Sequence, residues 1–172
     1  MTRASVSLFG VESIADYLRF CTEAVEEFDA DQANVLRGFT AVLALNHIPD
    51  WLQYKLSADE RRRLRLNDST PEHAVQEYFE ALNSDLKLMR QIANGFKHLR
   101  PVHSTERIVG YGAGPYGIGP YGAPYLLVDL GENTPSTNRY EVGLSLCRRL
   151  LDWWHQQLAE IVNERDVSGG SV

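Results

Sequence analysis

Thr70-Pro71-Glu72-His73-Ala74-Val75-Gln76-Glu77-Tyr78-Phe79-Glu80-Ala81-Leu82-Asn83-Ser84-Asp85-Leu86-Lys87-Leu88-Met89-Arg90-Gln91-Ile92-Ala93-Asn94-Gly95-Phe96-Lys97-His98-Leu99-Arg100-Pro101 carries both a start and a stop signal for a helix. The Thr70 hydroxyl can accept a free N–H of the first turn, and proline suits the first helical position. At the far end, Pro101 drives the preceding residue out of helical dihedrals. Between these signals Val75, Phe79, Leu82, Leu86, Met89, Ala93 and Phe96 recur every three or four residues, the stripe of an amphipathic helix. One long helix is expected here, the third of four in an all-α bundle.

The remaining helices follow from the same period. Ile14, Leu18, Cys21, Val25 and Phe28 form one stripe, with Glu23, Glu26 and Glu27 on other faces. The Asp29-Ala30-Asp31 break separates it from Val35, Leu36, Phe39, Val42, Leu43 and Leu45. That second helix is apolar on too many sides for the surface and is expected at the centre. Pro49 predicts a kink or restart before Trp51 to Leu56. Ser57 to Leu66 is charged, predicts one or two helical turns, and presents its arginine run as a solvated face. Val142, Leu144, Leu146, Cys147, Leu150, Leu151, Trp154, Leu158 and Ile161 predict the fourth long helix.

Thr105 to Val109 and Tyr125 to Leu130 read as two strands of a β-hairpin inserted at about 104–131, before the last helix. Between them lies a glycine-rich loop that repeats Gly-Pro-Tyr-Gly and cannot form a regular helix. The chain therefore reads as one helical-bundle domain over 1–165, followed by a flexible tail over 166–172.

A length of 172 residues is enough for one domain with a sizeable core and no covalent staples. The net charge of -6 and sequence pI near 5.3 exclude a surface broadly adapted to phosphate backbones, while leaving room for a local basic groove. Cys21 and Cys147 both stand among apolar residues and are expected as buried free thiols. No segment approaches the roughly twenty apolar residues of a membrane span, so a cytoplasmic protein without a membrane partner is expected.

In the third helix Lys87, Arg90, Asn94 and His98 follow a slowly drifting line beside the apolar stripe, with Lys97 next to it. An arginine can stabilise charge on a phosphate, and histidine exchanges protons near neutral pH. These types could support phosphodiester cleavage, with Arg90 and His98 catalytic and Asn94, Lys97 and Lys87 binding substrate. Solvated cations and a favourable interaction with the helix C-terminus account for the same residues without a site.

This Arg90…Asn94…His98 pattern resembles the HEPN type of helical bundle, in which an arginine is followed four to six residues later by a histidine at a helix end. Here the separation is longer, and Gln91 stands where the family commonly has asparagine, aspartate or histidine. Asn94-Gly95-Phe96-Lys97-His98 is similar to variants in which the ribonuclease motif is eroded. The resemblance covers the long helices and leaves the glycine-tyrosine loop outside. It implies a homodimer with a polar cleft that binds RNA or a protein partner. It also implies a metal-independent endoribonuclease of a toxin–antitoxin or phage-defence system.

A competing reading makes the loop the working surface. Tyr111, Tyr116 and Tyr121 could stack on bases or pack against a protein, and the Gly-Pro-Tyr-Gly repeats resemble segments of phage structural proteins. The loop lacks the Lys-Ser/Thr ending of a phosphate cradle and does not open a helix, so no nucleotide cofactor is expected. His47 and Asp50, three apart, can share a helix face and pair. They supply only two ligands, and no metal is expected. His73, His103 and His155 are read as surface histidines without partners. In Asp152-Trp153-Trp154-His155, one indole is expected in the core and the other at an interface.

Overall fold

Ser13 opens the first helix with a capping box. Its Oγ accepts from the Asp16 backbone N–H at 3.1 Å, and Asp16 Oδ2 accepts from the Ser13 N–H at 2.9 Å. In this computed structural model the described residues are 10–55, 57–63, 72–98, 104–108, 114–120, 122–131 and 139–168. Within them the side chains of 55, 60, 63, 72–74, 96–98, 104–105 and 160–168 are not included. Helix α1 (Ile14–Ala30) buries Ile14, Leu18, Cys21, Val25 and Phe28, as its period predicts.

Asn34 caps α2 (Val35–Asn46), its Oδ1 accepting from the N–H groups of Leu36 and Arg37 at 3.1 and 3.2 Å. Ala41, Val42, Ala44 and Leu45 are buried, which makes the helix central. Its first turn is not: Val35 is 53% and Leu36 72% exposed. The apolar pattern thus begins one turn before the helix enters the packed layer. After a turn at His47 the chain restarts as α3 (Ile48–Lys55), with Pro49 in the first turn, where its missing N–H has no intrahelical partner. The short α4 (Ala58–Arg63) is tied back by Arg61 Nη1, which donates to the Gln53 carbonyl at 2.9 Å, while Arg62 pairs with Asp59.

The expected third long helix is two helices, α5 (Glu72–Leu82) and α6 (Ser84–His98). Asn83 makes the break. Its N–H still donates to the Phe79 carbonyl at 3.0 Å, but its own carbonyl and Oδ1 accept from Leu86 and Asp85 at 3.1 and 3.0 Å, restarting the ladder. The restart shifts the helical phase. Val75, Phe79, Leu86, Met89 and Ala93 stay buried, whereas Leu82, predicted in the same stripe, is 53% exposed.

The expected hairpin forms from β1 (Ser104–Ile108) and β2 (Tyr125–Asp129), paired antiparallel with Arg107 opposite Leu126. A third strand, β3 (Tyr140–Val142), pairs with β2 on its other side. Val142 was expected in the last helix and instead ends this strand. Arg139 locks the β2–β3 corner, donating from Nε and Nη2 to both carboxylate oxygens of Asp129 at 2.9 and 2.8 Å. Helix α7 (Gly143–Ser168) then crosses the core and runs past 165, where a flexible tail was expected to begin. Residues 169–172 of that predicted tail lie outside the described residues.

The protein is thus mostly helical with a small three-stranded antiparallel sheet. Seven helices among the described residues take the place of the four long ones expected. The main core joins the helices to the sheet through Val128, with Leu126 packed against it. A separate small cluster of Ile108, Tyr125 and Leu127 occupies the opposite sheet face, as strand alternation requires. Cys21 and Cys147 are free and buried, as predicted. Trp154 is fully buried against Phe79 and Trp153, with centroids at 4.9 and 4.7 Å, and its indole N–H has no hydrogen-bond acceptor among the described residues.

Candidate functional site

Three regions could carry function. The first is the edge of α6. Lys87 and Asn94 are exposed, and Arg90 between them is half-buried. Arg90 Nε lies 2.8 Å from Glu80 Oε1 on α5. The approach lacks the angles of a hydrogen bond, so the attraction is mainly coulombic. Burial holds the Glu80 carboxyl above its ordinary pKa, while the cations of Arg90 and Lys87 pull the other way. The Asn83 break places α5 beside α6 and brings this pair together, so the guanidinium is already engaged by a carboxylate. The α6 backbone continues to His98, about 12 Å along the axis and about 80° around it from Arg90. The side chains of Lys97 and His98 lie outside the described residues.

The second region is the loop between β1 and β2. The Ile118 N–H donates to the Pro115 carbonyl at 3.3 Å, closing a turn with Tyr116 second and Gly117 third. Gly117 has φ +77, the positive value that the third position of a type II turn demands. Tyr116 is fully exposed at the tip. Beneath it the Tyr125 hydroxyl donates to the Ile118 carbonyl at 2.7 Å, and the ring is buried. A Cβ at Gly119 would sit 2.4 Å from that ring, and one at Gly114 would sit 2.4 Å from its hydroxyl. The glycines therefore let the loop lie flat on Tyr125. Tyr111 and Tyr121 lie outside the described residues.

The third region had no signal in the sequence. A cavity of about 180 Å³ lies between the helix-facing side of the sheet and helices α1, α2, α6 and α7. Its apolar walls are Phe28, Val42, Ile92, Leu126, Val128 and Leu146, with Val35, Phe39, Glu106 and Arg107 also lining it. Gly38 and Gly143 complete it, and a Cβ at Gly38 would come within 2.8 Å of Leu126 Cδ1. These residues come from six elements, and no local motif could have announced them.

The expected pair of His47 and Asp50 forms, Nδ1 to Oδ2 at 2.6 Å, with both side chains well exposed. His155 is exposed as expected but has a partner, Thr22 Oγ1 at 3.2 Å from its Nε2. The Thr22 hydroxyl donates to the Leu18 carbonyl, which leaves its lone pair to accept from the imidazole. The His73 side chain and His103 lie outside the described residues, among which no group of three or more His, Cys, Asp or Glu is placed to hold a metal ion. No helix in the described residues is long and apolar enough to cross a membrane. No family model, curated protein or solved structure matches this chain.

Proposed function

We propose that the chain is a non-enzymatic interaction protein that grips a protein partner through the turn Pro115–Ile118, with Tyr116 as its anchor. The observation that carries this reading is a fully exposed tyrosine on a turn whose backbone is braced from below by Tyr125. A tyrosine held this way brings a large amphipathic contact area with little conformational entropy left to lose on binding. Comparative affinity purification from the native cells tests it. Tyr116→Ala is expected to keep the melting temperature and to lower recovery of the partner at least tenfold, the scale of an aromatic hot spot. Equal recovery by the folded variant overturns the reading.

A second reading is favoured by the exposure of Lys87 and Asn94 on either side of Arg90 along α6. In it the protein is a cytoplasmic HEPN-like homodimer that binds single-stranded RNA along this edge. Arg90 leaves Glu80 to stabilise the phosphate charge, and His98 transfers protons. Incubating pure protein with single-stranded RNA tests it. Cleavage is expected to fall at least a hundredfold in His98→Ala and in Arg90→Ala, and Lys87→Ala is expected to weaken binding. Unchanged cleavage in the first two variants, or no RNA binding by the wild type, removes this reading.

A further inference from the structure

The cavity under β1 differs from an ordinary packing defect in what stands at its rim. Arg107 is exposed and lines the cavity, and it forms no hydrogen bond or ion pair with another described residue. Strand alternation sets its direction. Ile108 belongs to the small cluster on the outer sheet face, and Arg107 pairs in register with Leu126, which packs on the main core, so Arg107 lies on the helix side. Glu106 also borders the cavity, but it pairs in register with Leu127 of the outer cluster, so its side chain leaves on the opposite sheet face from Arg107. An apolar chamber therefore sits beside a cation that no described residue neutralises.

The chamber's size and surroundings narrow the occupant. Apolar cavities of about 150 Å³ stay dry and admit a benzene-sized molecule, and this one is slightly larger. Val35 and Leu36 leave apolar surface exposed at the same end of α2. Gly38 stands mid-helix, where alanine is favoured, and any larger residue there would press on Leu126 and Phe28. We propose that this cavity binds a small amphiphilic carboxylate, its aromatic or short aliphatic body inside and its anionic group on Arg107.

A matched pair of probes, 3-phenylpropionate and 3-phenylpropan-1-ol, separates the two halves of the proposal. Both are titrated into the isotope-labelled full chain and followed by the amide signals of Val42, Ile92, Leu126 and Leu146. The carboxylate is expected to bind about tenfold more tightly, as a charge-assisted contact adds to the shared apolar burial. Arg107→Gln is expected to abolish that preference while leaving the alcohol bound. Val42→Phe fills the chamber and is expected to remove both. Absence of shifts at the lining amides, equal affinities in the wild type, or a preference that survives Arg107→Gln each overturns the proposal. Should Val42→Phe fail to fold, the Arg107 variant, at an exposed strand position, still decides.

Discussion

Trp154 and Tyr125 are both almost completely buried aromatic residues, in surroundings of different kinds. Trp154 lies in a core supplied by all the longer helices, against Phe79 and Trp153, and no described residue accepts from its polar N–H. Tyr125 belongs to a cluster of three buried residues and is roofed by a loop whose glycines lack the side chains that would collide with it. Its polar atom is satisfied by that same loop. The first environment rests on apolar area and tolerates an orphaned donor. The second rests on backbone freedom and one hydrogen bond.

Four measurements break or sharpen this contrast. Trp154→Ala is expected to cost about 3–5 kcal/mol of global stability, read from chemical denaturation. A loss below about 1 kcal/mol would erase the difference between the two regions. Gly119→Ala is expected to cost about 2 kcal/mol, because φ is +82 and the new methyl meets the Tyr125 ring. Its signature is faster hydrogen exchange in the loop, with α1 and α7 protected as before. Tyr125→Phe removes only the hydroxyl and is expected to cost about 1 kcal/mol, again localised to exchange around Ile118.

The smallest effect concerns pH and belongs to the helical region. Burial raises the folded-state pKa of Glu80 above the unfolded value of 4.5, so the native chain holds this proton more tightly. Its contribution to stability is therefore greatest below the unfolded pKa and declines as pH rises through the folded value. Relative to wild type, Glu80→Gln is expected to flatten the fall in denaturation midpoint as pH rises above 4.5. An unchanged slope would place the titration elsewhere. Asp16 has the opposite sign: the Ser13 hydroxyl leads the contacts that lower its pKa, so its stabilising contribution is present at neutral pH and fades only below its ordinary range.

Much of the helical layer was legible from spacing, because burial of a stripe leaves a period in the sequence that no other arrangement satisfies so simply. Ile14 to Phe28 and Leu144 to Leu158 are buried on the predicted faces. The Asn83 break was hidden by the same rule, since Leu82 extends the apolar pattern across it. The signal against a single helix was chemical, an asparagine able to cap Ser84-Asp85. Strand β3 spans only three residues, too few for alternation to be visible. The edge formed by Lys87, Arg90 and Asn94 could be read from one helix, but the engagement of Arg90 by Glu80 could not, because it depends on how α5 folds back. Nothing local marks the cavity, and the value of Arg107 emerges only from strand register.

The two thiols give this molecule an internal chronometer. Cys21 and Cys147 are sealed in the main core, and burial pushes both pKa values up to about 12, so almost no thiolate is presented to an alkylating reagent. Modification must then wait for the helices to part. The labelling rate would count opening events of the helical layer alone, blind to whatever the tyrosine loop does above it.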